Sequence, residues 1–212
     1  MVKITLINGS PKPSQSASGR ILQFLQPLLE SERHENTLHA WRRPDLDSQD
    51  ALDLCECDAL IFAFPLYVDG IPSHLLNCLM QLEERLAHTE KDIMVYAIVN
   101  CGFYEGHQAR WALAMMENWC HRAQVQWGYG IGLGAGGILA GDNATPLDVG
   151  PNRNLGQALR KLAHSVTNRV SDQNLFITAN FPKLLYKLGG EMGWRKNARA
   201  NGLRARDLSM KR

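Results

Sequence analysis

Residues 6–20 read LINGSPKPSQSASGR, and how they are interpreted decides the fold. An apolar run, VKITLI at residues 2–7, stops at Asn8-Gly9. A helical pattern begins just after Ser18 and places Ile21, Leu22, Phe24, Leu25, Leu28 and Leu29 on one broad stripe. A strand closed by an Asn-Gly turn signal and followed by an amphipathic helix is the opening of a βαβ unit. The joining stretch holds Ser10, Ser14, Ser16 and Ser18 and no carboxylate. Unpaired N–H groups and the dipole at such a helix start favour an anion, and serine hydroxyls and Lys12 add donors and charge. Serines also cap helices, so a solvated turn with Ser18 or a neighbour as the cap is the competing interpretation.

The alternation continues along the chain. NTLHAW (36–41) is a weaker second strand, and DALIFAFP (58–65) is a third, apolar on both faces as a central parallel strand is. A helix opens at Pro72 and carries Leu75, Leu76, Leu79, Met80 and Leu82. DIMVYAIVN (92–100) is the fourth strand; it ends in the loop CGFYEG, and a helix is expected over His107 to Ala123. VQWGYGIGL (125–133) is a fifth strand dissolving into GAGG, and the last strongly periodic helix spans about Asn152 to Val170. Short apolar strands alternating with helices give right-handed crossovers and a parallel, doubly wound sheet covered on both faces. Ligands of such sheets sit outside the carboxyl ends of the strands, so chemistry is expected in the loops after strands one, three and four.

Composition narrows the classes. With 212 residues, 45% of them hydrophobic and 21% charged, the chain is an ordinary globular one, expected to form one domain over residues 1–172 followed by a basic extension, 173–212. The opening apolar run is too short for a signal peptide or a membrane span, which predicts a cytoplasmic protein. Five cysteines without a C-x-x-C pair read as reduced thiols, and Cys55-Glu56-Cys57 lacks the further ligands a metal site needs. Net charge is +2, yet residues 183–212 hold nine Lys or Arg against Glu191 and Asp207, so the basic character is local. The body shows no basic face interleaved with aromatics, and no nucleic-acid partner is expected.

The individual loops carry further detail. The first lacks G-x-x-x-x-G-K-[ST], and no cysteine precedes Arg20, which argues against a nucleotide triphosphate loop and a thiol phosphatase loop. FPLYVDGIPSHLL offers Pro65, Leu66, Tyr67 and Val68 as an apolar and aromatic lip suited to a planar ring, or as simple packing over the sheet end. NCGFYEG offers Asn100 and the amides around Gly102. Glu105 is either a ligand-facing group or a carboxylate complementing the next helix dipole. Cys101 has no activating His or Asp nearby in sequence and reads as a small residue at a strand end. A formal G-x-G-x-x-G runs from Gly132 to Gly137, but no helix pattern starts promptly after it; a tight loop admitting another backbone or a flat ligand is expected instead.

Taken together, NGSPKPSQSAS, FPLYVDGIPSHLL and NCGFYEGHQ resemble the phosphate loop, the P-x-Y-x-x-x-x-P segment and the flavin-facing loop of the NAD(P)H-dependent FMN reductase and multimeric flavodoxin branch of the flavodoxin-like superfamily, over about residues 1–140. The resemblance implies a five-stranded parallel sheet of order 2-1-3-4-5 with helices on both faces. It implies FMN as cofactor, with its phosphate on Ser10, Lys12, Ser16, Ala17 and Ser18. The isoalloxazine would then lie between Pro65, Leu66, Tyr67 and Val68 on one side and Asn100, Cys101, Gly102 and Phe103 on the other, with Glu105 in the same loop. NAD(P)H is the implied electron donor and a quinone, flavin or other small molecule the acceptor. The flavin carries the chemistry, so no catalytic side chain and no metal are expected. A homodimer or homotetramer is implied as well.

A non-enzymatic electron carrier docking to a protein partner is the competing function; such carriers usually present an acidic face, which the charge balance here does not favour. The basic extension places Phe181, Leu184, Leu185 and Leu188 on one stripe before Gly189-Gly190 is expected to interrupt it. It can dock at a subunit edge, lie weakly on an anionic membrane surface, or steer a polyanionic nucleotide.

Overall fold

The buried strands set the architecture of this computed structural model, which describes residues 2–31, 34–141 and 145–209. Strands β1 (Lys3–Asn8), β2 (Glu35–Ala40), β3 (Ala59–Pro65), β4 (Met94–Asn100), β5 (Gln126–Gly134) and β6 (Leu175–Thr178) form one sheet of order β2-β1-β3-β4-β5-β6. All pairings are parallel. The reversal of strand order lies between β1 and β3, where the chain leaves β1 for one side and returns on the other.

Alternation along the central strands feeds two cores. Leu60, Phe62 and Phe64 of β3 and Val95, Ala97 and Val99 of β4 join α2 (Ser48–Cys55), α3 (Ser73–Leu86) and α4 (Arg110–Arg122) on one face. Ala59, Ile61 and Ala63 with Met94, Tyr96 and Ile98 meet α1 (Ala17–Ser31), α5 (Gly137–Gly141) and α6 (Arg153–Thr167) on the other. Helices thus cover both faces, as the alternating pattern implies.

The sheet has six strands where the sequence reading gives five. The added β6 is only four residues long, pairs with β5 from Ile131 to Gly134, and lies within the segment expected to begin the extension. The chain divides into two compact units, residues 1–179 and 180–212. In the second unit α7 (Lys183–Ala200) runs unbroken through Gly189-Gly190, contrary to the expected interruption. Two glycines cost helix propensity, but neither clashes nor removes a backbone hydrogen bond. Leu184, Leu185, Leu188, Met192 and Trp194 of this helix are exposed. Among the described residues, no helix is long and apolar enough to cross a membrane.

Candidate functional site

The loop between β1 and α1 is shaped by serine hydrogen bonds. Ser16 is the residue before α1, and its Oγ accepts the Gly19 N–H at 3.0 Å and the Asn8 Nδ2 at 3.5 Å. It is therefore the helix cap, a role the sequence left open among the serines. Asn8 Oδ1 accepts the Ser10 N–H, and Ser10 Oγ accepts the Lys12 N–H. The Ser10 and Ser16 oxygens are occupied as acceptors while, among the described residues, their O–H protons have no acceptor, and both side chains are buried. Nor do the N–H groups of Ser14, Gln15, Ser16, Ala17 and Ser18 donate to any described residue. Ser14 and Gln15 are exposed to water, but the buried donors of Ser10, Ser16 and Ser18 need an acceptor, and the first turn of α1 contains no acid to supply one.

Ser18 behaves differently. Its hydroxyl donates to Asn100 Oδ1 at 2.7 Å, a buried bond that joins the start of α1 to the end of β4. Next to it, Leu66 N–H donates to the Asn100 carbonyl at 2.9 Å, so the loop after β3 is tied to the same residue. Tyr67 and Gly70 then exchange backbone hydrogen bonds around Val68 and Asp69, which have φ of +48° and +59°. Two left-handed residues in a tight turn suit glycine or asparagine; a β-branched valine there is strained.

The loop after β4 is held by glycines in β5. The segment expected to become a loop is instead strand through Gly134, with Tyr129, Ile131 and Leu133 in one core. On the opposite face, Gly130 admits the Leu113 side chain, and Gly132 and Gly134 admit the backbone of residues 104–106. That backbone approach is the one the glycine run predicts, placed within a strand. The clasp is completed by Cys101 N–H to Leu133 O at 2.9 Å, Ala135 N–H to Phe103 O at 2.5 Å and Gly136 N–H to Cys101 O at 2.8 Å. Glu105 immediately precedes a 3-10 turn (Gly106–Ala109) that leads into α4, and its side chain makes no capping hydrogen bond. Burial pushes the Cys101 thiol pKa up and Glu105 adds to the rise, which keeps it protonated and unlike an activated nucleophile.

These three loops enclose one cleft of about 190 Å³. Of the residues singled out from sequence, Ser10, Lys12, Ser16, Ala17, Ser18, Pro65, Leu66, Tyr67, Asn100, Cys101 and Gly102 all line it. Val68, Phe103 and Glu105 do not: Val68 is fully exposed at its turn tip and Phe103 projects outward. Gly136 and Gly137 complete the wall and were not among the candidates, although the GAGG run marked a point of close approach. Among the described residues no cluster of side chains could hold a metal ion.

A parallel sheet of this order with a cleft at the carboxyl ends of β1, β3 and β4 defines a flavodoxin-like fold. Solved structures agree. The flavodoxin-like WrbA-like protein from Agrobacterium tumefaciens matches with a TM-score of 0.57 and 14% identity, over 80% of this chain and 97% of its own. An NADH:FMN oxidoreductase, EmoB in its apo form, matches at 0.58 and 16% identity, over 81% and 91%. The NAD(P)H:quinone oxidoreductase from Methanothermobacter marburgensis matches at 0.57 and 16%, over 79% and 98%. At such identities the likeness establishes the fold. No family model matches the sequence, and no curated protein is significantly similar to it.

Proposed function

We propose that the protein is an FMN-dependent NAD(P)H oxidoreductase that passes reducing equivalents to a quinone, a flavin or another small acceptor. One observation carries this reading: the undonated N–H groups of Ser16, Ala17 and Ser18 and the buried Ser10 and Ser16 hydroxyls belong to residues that line the same cleft as Pro65, Leu66, Tyr67 and Gly102. A phosphate dianion would satisfy those donors, so the residues present fit FMN. Bound FMN accepts a hydride and delivers electrons one or two at a time. The chain would hold the phosphate on residues 10–18, place the ring between the loops after β3 and β4, and exclude water from that side. A cleft of about 190 Å³ lies below the usual range of roughly 300–1,000 Å³ for enclosing ligands, which suits a ring with one face left open for donor and acceptor. The proposed soluble, multimeric enzyme needs no side chain as acid, base or nucleophile.

The test begins with FMN titration of the purified protein, followed by flavin fluorescence, and then anaerobic addition of NADH or NADPH with absorbance read in the visible. Binding followed by bleaching is expected. Absence of FMN binding would overturn the reading, while binding without bleaching would leave only an electron carrier. Replacing both Ser10 and Ser16, whose buried hydroxyl protons have no acceptor among the described residues, by Ala should weaken FMN binding by about tenfold or more, because each lost hydrogen bond to a charged group is worth about 1.5–3 kcal/mol. Unchanged affinity would refute the assignment of this loop.

A further inference from the structure

A second cleft lies behind the first, on the β2 side of the same loop. Its volume is about 350 Å³, within the roughly 300–1,000 Å³ of small-molecule sites. Three separate parts of the chain bring cations to it: Lys12 from the loop, Arg20 from α1 and Arg42 from the segment after β2. No Asp or Glu lines it. Among the described residues neither Lys12 nor Arg42 has an ion-pair partner. The opposite wall is apolar, with Leu38 of the edge strand 48% exposed beside Ala40 and Pro13.

Two of the cations start from ordered positions. Trp41 N–H donates to Asn8 O at 3.0 Å, and the Trp41 ring packs edge-on against Phe62 in the core, so Arg42 leaves a fixed point. The Arg20 guanidinium lies 4.4 Å from the centroid of the Phe24 ring, which sets its plane. Lys12 and Arg42, neither with an ion-pair partner among the described residues, bring positive charge to a cleft lined by no carboxylate and favour a dianion, and Arg in particular pairs phosphate oxygens bidentately. An exposed aliphatic wall beside them suits a sugar or a heterocyclic ring.

The geometry points to a site for a phosphate monoester on a nucleoside, with Arg42 and Arg20 on the phosphate and Leu38 against the ring. Lys12 and Ser16 line both clefts, so a ligand here lies next to the proposed flavin phosphate. In a pyridine-nucleotide reductase the ligand of this chemistry is the adenosine 2′-phosphate half of NADPH, and the cleft would then select NADPH over NADH. Only this identification of the ligand rests on the function proposed above; the phosphate site itself does not.

Calorimetric titration of the full-length, FMN-treated protein with 2′,5′-ADP, 5′-AMP and inorganic phosphate tests the site directly. We expect 2′,5′-ADP to bind about tenfold or more tightly than either of the others, as one or two charged contacts imply. Arg42→Ala should remove most of that advantage and Arg42→Lys should restore part of it, with FMN affinity unchanged in both. In steady-state assays Arg42→Ala should raise KM for NADPH about tenfold and leave KM for NADH alone. Equal affinity for 2′,5′-ADP and 5′-AMP would overturn the 2′-phosphate identification, and insensitivity of both to Arg42→Ala would overturn the site. Inorganic phosphate binding as tightly as 2′,5′-ADP would overturn the nucleoside part. If FMN fails to bind while 2′,5′-ADP binds as expected, the function proposed above falls and this cleft stands.

Discussion

Glycine recurs in β5 and in α7, and the two sets answer opposite demands. In β5, a Cβ on Gly134 would run into the backbone of Tyr104, Glu105 and Gly106, and one on Gly132 would lie 2.6 Å from Gly106 O. In α7, a Cβ on Gly189, Gly190 or Gly193 meets nothing within 4 Å. The first set is required by another strand of backbone; the second only lowers helix propensity. A glycine's meaning is set by what would occupy the space of its side chain, and spacing in the sequence does not reveal that.

Substitutions break or sharpen this contrast in a graded way. Gly134→Ala should have the largest effect, because all three nearest atoms are backbone and cannot swing aside. A loss of about 3 kcal/mol, the upper end of overpacking costs, with a melting temperature lower by roughly 6–12 °C, is expected by calorimetry. FMN retention should fall with it, since the loop of residues 101–106 rests on that strand. Gly132→Ala meets one backbone oxygen, the Phe176 ring and the Ala109 Cβ, and about 2 kcal/mol is expected. Gly130→Ala meets only the Leu113 side chain, which can rotate, and should cost about 1 kcal/mol. Equal losses at the three positions would show that strand propensity, and not contact with the loop, explains these glycines.

The sign should reverse elsewhere. Val68 has φ of +48° and no buried side chain to lose, so Val68→Gly should stabilise the protein by up to about 1 kcal/mol despite the entropy of glycine in the unfolded chain. A lower melting temperature in this variant would mean that the turn is not strained. Smallest of all is Gly189→Ala, for which slower amide exchange within α7, by up to about 1 kcal/mol of local stability, is expected with no change at β5.

Much of the fold was written in hydrophobic runs. The strands β1, β3 and β4 are bounded by turn residues and buried on both faces, and a short-range pattern suffices to find them. The short β6, LFIT, sits between polar segments and is a strand only because β5 offers it an edge, which no local signal announces. Helix α2 shows itself chiefly through its cap, Asp47, whose carboxylate accepts the Gln49 and Asp50 N–H groups, while only Ala51 and Leu54 of the helix are buried. In the candidate site, loop residues adjacent to strand ends could be placed from sequence because the strand fixes where they start. Val68 and Phe103 lie farther along, where turn geometry decides the direction of the side chain, and each points away from the cleft. The β2-side cleft was not legible because Arg20 and Arg42 meet only after the chain has crossed from α1 to β2 and back to the sheet end.

A hydroxyl has one proton to give, and Ser18 gives it to Asn100. An incoming anion that claims that proton releases the carboxamide to turn. Arrival of charge at the start of one helix would thus be felt at the tip of a strand two places away in the sheet, and affinity for one end of a bound molecule would carry information about the other.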